Sequence, residues 1–230
     1  MWILKILADI CLSINRIYYK LLLKKRYYGK SQSPSWFDHR IDLHYNWPKH
    51  MFWLERGVFP ARYIKPGNRV LDLFCGDGFY SKYFFSPLAV SVDSIDKNPE
   101  AISHATKYHS SDNITYYKKD IRVDDFPRDY YDIIIWFEAI EHLSRDDYQI
   151  AKNKISIALK NNGILIGSTP IVPLSSKGKN NWEHENEFES LSQLSDFLKK
   201  DFILLDCFDT LHKMTNGSER QTAYFIVKNR

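Results

Sequence analysis

The sequence predicts an α/β fold: an open, mainly parallel sheet covered by helices on both faces, preceded by an amphipathic helix. Three observations predict it. Val70-Leu71-Asp72-Leu73-Phe74 is a near-continuous apolar run holding one acid, and it leads into Cys75-Gly76-Asp77-Gly78. Apolar residues without alternation mark a strand buried on both faces, and the two glycines let the backbone turn tightly into a following helix. Further strand-like segments follow at Val90–Asp96, Ile114–Ile121 and Tyr131–Phe137, two of them closing on or near an acid. Finally, 230 residues with 44% hydrophobic content can bury one sizeable core. The economical count is a leader and linker over residues 1–35 and one domain over 36–230.

Met1 to about Tyr28 reads as a helix with Trp2, Ile3, Ile6, Leu7, Ile10, Ile14, Ile17, Tyr18, Leu21 and Leu22 on one face. Lys5, Asp9, Ser13, Arg16, Lys20 and Lys24 recur on the other. Residues 1 to 30 hold seven basic side chains against Asp9 alone, a balance of +6 where the whole chain carries only +4. The remainder is slightly acidic, which does not mark a dedicated nucleic-acid binder. Charge interrupts every window long enough to span a bilayer, and no small-residue cleavage site follows a compact apolar core. The leader is therefore expected neither to cross a membrane nor to be removed. Two readings stay open for residues 1–28: peripheral contact with an anionic membrane surface, or packing on the chain's own domain or on a second copy. Cys11, Cys75 and Cys207 show neither metal spacing nor an even framework, which suits a reducing, cytoplasmic compartment.

Tyr27–Pro48 is polar, turn-rich and aromatic, with Ser31–Ser35 as the expected linker. Its Trp36, Phe37, Tyr45 and Trp47 either cover a ligand site or staple the leader to the sheet edge. His50–Phe59 is expected to be the helix before the first strand, stopped by Pro60, and Pro66-Gly67 turns into that strand. Ligands of open α/β sheets sit beyond the strand carboxyl ends. Asp96 lies there, roughly 20 residues past the glycines, where a ribose-binding carboxylate is expected by analogy with dinucleotide sites, with Asp93 as its rival. Asp120 closes the third strand and suits an exocyclic amine. After the fourth strand Glu138, Glu141 and His142 stand at i, i+3 and i+4, which would put them on one face of a first helical turn. A helix is expected over Asp146–Leu159, stopped by Asn161-Asn162-Gly163, then a fifth strand over Gly163–Thr169 and a polar loop over Pro170–Asn181. A helix over Leu191–Lys200 and strands over Phe202–Phe208 and Thr222–Lys228 complete the chain. Asn216-Gly217 between those strands points to an antiparallel return.

In their order, VLDLFCGDG, VDSIDKNPEAI, KKDI, YDIIIWFEAIEHL and LKNNGILIGSTP resemble the class I S-adenosylmethionine-dependent methyltransferases over roughly residues 50 to 230. The resemblance implies a Rossmann-like, doubly wound sheet of seven strands in the order 3-2-1-4-5-7-6, the last antiparallel. It also implies S-adenosylmethionine as cofactor, with Asp72, Gly76 and Gly78 near the methionine part, Asp96 on the ribose hydroxyls, and Asp120 with Ile121 on the adenine. A nicotinamide dehydrogenase is the competing reading of the glycine loop. It is disfavoured because Ser81 stands where a third glycine belongs and Asp72 precedes the turn.

Methyl transfer from a sulfonium is an in-line displacement that needs alignment, and a neutral oxygen acceptor must also lose its proton. Glu138, His142 and His184 are the candidate catalytic residues. Glu138-x-x-Glu141-His142 followed by His184-x-x-x-Phe188-Glu189 resembles the metal-dependent O-methyltransferases that act on RNA 3′-terminal riboses, and less closely those of ubiquinone synthesis. That resemblance implies Glu138, Glu141, His142 and His184 as ligands of a divalent cation, Mg2+ or Mn2+, with zinc also compatible with the donors. Without metal, the same residues would cap, pair and position substrate. The chain lacks the appended RNA-binding domain of those enzymes, so a small-molecule, glycan or lipid-linked hydroxyl is the expected acceptor, and an RNA end is the alternative. A catalytically silent scaffold keeping the fold is a third reading, at odds with the intact Gly76, Gly78, Asp96 and Asp120.

Overall fold

A computed structural model describes residues 2–23, 38–39, 52–172, 184–213 and 219–230. The chain divides into two compact units, Met1–Met51 and Phe52–Arg230. In the first, α1 (Trp2–Leu23) is one continuous helix of 22 residues that exposes Trp2, Ile3, Leu7, Ile10, Ile14, Ile17 and Leu21. No helix among the described residues is long and apolar enough to cross a membrane. Trp36, Phe37, Tyr45, Trp47 and the expected linker Ser31–Ser35 lie outside the described residues.

The second unit is built on a seven-stranded sheet in the order β3-β2-β1-β4-β5-β7-β6. Its strands are β1 (Arg69–Leu73), β2 (Ser91–Asp96), β3 (Ile114–Lys118), β4 (Tyr131–Phe137), β5 (Leu159–Ile171), β6 (Ile203–Lys213) and β7 (Glu219–Lys228). β1 to β5 pair in parallel, and β7 runs antiparallel to both β5 and β6. The strand order and the antiparallel return are those the resemblance implies. The helices are α2 (Phe52–Ala61), α3 (Pro99–Tyr108), α4 (Arg145–Ala158) and α5 (Leu191–Asp201), with a short π-helical segment at Ser81–Phe85.

Alternation along the strands sorts the core into two layers. Val70, Val92, Ile133, Ile135 and Ile166 face one side, where they meet Phe59, Tyr80 and Phe85. Leu71, Leu73, Ile134, Trp136 and Leu165 face the other, under Tyr148, Ile155, Leu194 and Leu198 of α4 and α5. Both layers are needed for strands this apolar to be stable in water. The helix starts are written locally. Asn98 accepts from the Glu100 N–H (2.9 Å) ahead of Pro99 in the first helical position, Ser144 accepts from Asp147 (3.1 Å), and Ser190 from Gln193 (3.2 Å).

Several boundaries differ from expectation, for physical reasons. Pro60 does not stop α2 but sits inside its last turn, and the backbone then tightens as the Arg62 and Tyr63 N–H groups bond three residues back (3.3 and 2.9 Å). Asn161-Asn162-Gly163 does not end α4, because β5 already begins at Leu159. Pairing slips from Tyr131↔Leu159 to Ile133↔Ile164, so the polar triplet is an excursion within the strand. At Gly163 a Cβ would come within 3.0 Å of the Tyr131 carbonyl oxygen. β6 and β7 outrun the expected strands because they pair from Ile203↔Lys228 to Lys213↔Glu219, with one shift of register between Leu204 and Asp206.

Candidate functional site

The carboxyl ends of β1, β2 and β4 gather most of the expected site residues. After β1 the backbone passes through three positive φ angles, at Phe74 (58°), Gly76 (55°) and Gly78 (76°). The second glycine is required twice over. It adopts a left-handed conformation, and a Cβ there would lie 2.6 Å from the Tyr116 hydroxyl and 2.9 Å from the Ala105 Cβ. The turn is pinned from β2: the Gly76 N–H donates to Asp96 Oδ2 (3.1 Å) and the Cys75 N–H to the Ile95 carbonyl (2.9 Å). Asp96 Oδ1 accepts in turn from the Asn98 N–H (2.8 Å), which orients its carboxylate at the strand end. Burial nevertheless raises the Asp96 pKa, against those two hydrogen bonds.

Asp72 is buried beneath the turn, where it accepts from the Ser81 hydroxyl (2.5 Å), which itself accepts from Ser94 (3.0 Å). Burial, reinforced by Asp96 and Asp77, pushes its pKa up to about 7 even though Ser81 pulls the other way. At the end of β3, Asp120 is held by the Arg122 guanidinium (2.6 Å), whose hydrogen bonds draw its pKa down, and Ile121 is fully buried.

Beyond β4, Glu138 and the pair Glu141–His142 part company, contrary to the expected single helical face. Glu138 has φ 45°, outside any helix, and only Ile140–His142 forms a short 3-10 turn. Glu138 accepts from Ser168 (3.1 Å), pairs with Arg56 (2.8 Å) and also with Arg220. Burial pushes its pKa up, but the two arginines win and hold it below the ordinary value. Glu141 faces the other way, buried, with Thr169 donating to its Oε2 (3.0 Å). Burial first, then the Glu138 charge, push its pKa up to about 8.

His184 arrives from beyond β5. The Glu185 and Asn186 N–H groups donate to the Glu141 carbonyl (2.8 and 3.0 Å) and the Asn186 side-chain amide donates to the Leu143 carbonyl, so the segment is fastened beside the 3-10 turn. The His142 and His184 rings lie 4.9 Å apart, edge to face. One ligand atom each from Glu141, His142 and His184 lies within 4.8 Å of the others. His184 Nδ1 sits 3.2 Å from Glu187 Oε1, an outer carboxylate of the kind that orients ligating imidazoles. Burial, with His142 beside it, lowers the His184 pKa and favours the neutral ring. Three of the four expected ligands thus converge, while Glu138 is committed to arginines. Arg56, Arg220 and Glu187 are functional neighbours that sequence reasoning missed. Arg220 lies 82 residues from Glu138, and no local signal joins them.

A doubly wound sheet with this strand order, a glycine turn after β1 and a carboxylate at the end of β2 is the fold of the class I S-adenosylmethionine-dependent methyltransferases. Residues 70–163 match the family model of methyltransferase domains. No curated protein matches the sequence. Among solved structures, the N-methyltransferase NodS from Bradyrhizobium japonicum WM9, in complex with S-adenosyl-L-homocysteine, is 15% identical with a TM-score of 0.60, over 78% of this chain and 85% of that one. A putative S-adenosylmethionine-dependent methyltransferase from Listeria monocytogenes is 17% identical (TM-score 0.59; 77% and 99% covered). The [4+2]-cyclase SpnF shares the fold at 15% identity (TM-score 0.59; 79% and 81% covered).

Proposed function

We propose that the protein methylates a hydroxyl of a small-molecule, sugar or lipid-linked acceptor, with Glu141, His142 and His184 holding a divalent cation at the acceptor side. The observation that carries this reading is the convergence of those three side chains beside the sheet's carboxyl edge. One carboxylate and two imidazoles suit Mg2+, Mn2+ or Zn2+. A cation there would polarise the acceptor hydroxyl and lower its pKa. Glu138 is not counted in the set; gripped by Arg56 and Arg220, it ties α2 and β7 to the end of β4. On the donor side, the Gly76–Gly78 turn and Asp72 take the methionine part, Asp96 the ribose hydroxyls, and Asp120 with Ile121 the adenine. NodS uses the same fold on a nitrogen acceptor and SpnF for a cyclisation, so turnover must be measured.

Asp96→Ala is expected to weaken S-adenosylmethionine and S-adenosyl-homocysteine binding by roughly 10- to 150-fold, the worth of a charge-assisted hydrogen bond of about 1.5–3 kcal/mol. Calorimetry on a folded variant reads this, and unchanged affinity would remove Asp96 from the ribose site.

The deciding experiment supplies labelled S-adenosylmethionine with a panel of vicinal diols, glycans and lipid-linked sugars. Transfer should stop with chelator, resume with Mg2+ or Mn2+, and fall by most of its rate in Glu141→Gln, His142→Ala or His184→Ala, with double variants little worse. Full turnover in a chelated sample would leave the three residues as acid–base or positioning groups. Sedimenting the same sample with anionic vesicles at low salt tests the leader. Co-sedimentation lost on removing residues 1–30 supports a membrane surface, and none at all rejects it.

A further inference from the structure

A second cluster lies on the opposite flank of the glycine turn. Asp77 sits within the turn, His104 in the last turns of α3, and His109 caps that helix. All three are buried, and one ligand atom from each lies within 4.8 Å of the others. His109 Nδ1 is 2.5 Å from the Asp77 carbonyl oxygen. A carbonyl can only accept, so the proton is on Nδ1 and the lone pair is on Nε2. Ligating histidines are held this way, one ring nitrogen donating to a backbone carbonyl while the other is presented to the ion. The Phe79 N–H donates to Asp77 Oδ1 (3.1 Å), fixing the carboxylate, and the Phe79 and Tyr83 rings stand edge-on to His109 (6.2 and 5.6 Å). With Asp77, His104 and His109 themselves buried, any electrostatic interaction among them is strengthened.

We infer that Asp77, His104 and His109 form a site for a divalent transition-metal cation of the zinc class, one that clamps the glycine turn to α3. It shares no residue with Glu141, His142 and His184. One carboxylate and two imidazoles are a zinc-type donor set, poorer for Mg2+, which favours oxygen. The two elements already touch where Gly78 abuts Ala105, so an ion would lock an existing contact rather than create one.

The test uses the full-length protein as a Glu141→Gln/His184→Ala variant, so that the other cluster cannot answer for this one. After dialysis against chelator, this protein should bind one equivalent of Zn2+ by calorimetry and keep it through gel filtration. Its Tm should rise with Zn2+ concentration. His104→Gln and Asp77→Asn, made in that background and shown folded by circular dichroism, should each weaken Zn2+ binding at least about 10-fold, the loss that even an outer-shell change produces. His104 is the safer position, being 8% exposed where His109 is fully buried. Failure of the background variant to retain Zn2+, or Zn2+ affinity unchanged in His104→Gln and Asp77→Asn, overturns the assignment.

Discussion

Arg56→Met should destabilise the domain by about 3 kcal/mol, the lower end of the 3–5 kcal/mol that breaking a buried ion pair costs. Arg56 and Glu138 are 12% and 16% exposed at the side chain and 2.8 Å apart. Removing the guanidinium leaves a carboxylate away from water that, among the described residues, Arg220 and Ser168 still hold, which is why the loss should not reach the upper end. Urea unfolding reads the difference. Arg56→Met/Glu138→Gln should recover part of it, because the uncompensated charge is then gone. A single-variant loss within the roughly 0–1 kcal/mol of an exposed pair would show that Glu138 is solvated and the network is ornamental to stability.

In cofactor-free protein, stability should also fall as pH rises from about 4 to about 7, and Asp72 should be a main cause. Its folded pKa of about 7 stands above the ordinary 3.8, so between those values the folded state holds a proton that the unfolded chain has released. An acid with a raised folded pKa favours the native state fully below the unfolded value and loses that contribution as pH climbs to the folded one. At about 1.4 kcal/mol per pH unit the difference is on the order of 4 kcal/mol, an upper bound for one group. Asp72→Asn cannot ionise, so its stability should decline less over the same range. Parallel wild-type and variant profiles would mean that Asp72 ionises normally. A cofactor carrying an ammonium and a sulfonium near this carboxyl would favour its charged form, so binding should release a proton below about pH 7.

Much of this architecture was legible because its causes are local. The apolar run of β1 and the glycines at positive φ each reflect a preference within a few residues. Asp72 and Asp96 stood out because an acid interrupting or closing a strand with buried residues is costly without a purpose. What stayed hidden depends on groups distant in sequence. The i, i+3, i+4 spacing suggested one helical face, but Glu138 turns left-handed and is captured by guanidiniums from α2 and β7. Asn161-Asn162-Gly163 has the composition of a helix stop, and only pairing with β4 shows it to be a slip in register. Asp77, His104 and His109 form no short motif, since one belongs to a turn and two to a helix end.

The position of β7 also governs how the chain is made. Among the described residues β6 pairs only with β7, and β7 alone joins it to β5. A ribosome must therefore finish residues 219–228 before β6 has any place in the sheet, and until then β5 presents Leu165 and Ile166 on an open edge. Phe225, whose ring lies against Gly167, arrives only with that strand. A nascent chain stalled ten residues earlier would lack not only the 10 residues of β7 but the anchorage of the 11 in β6, leaving a five-stranded sheet with an apolar margin for chaperones to cover.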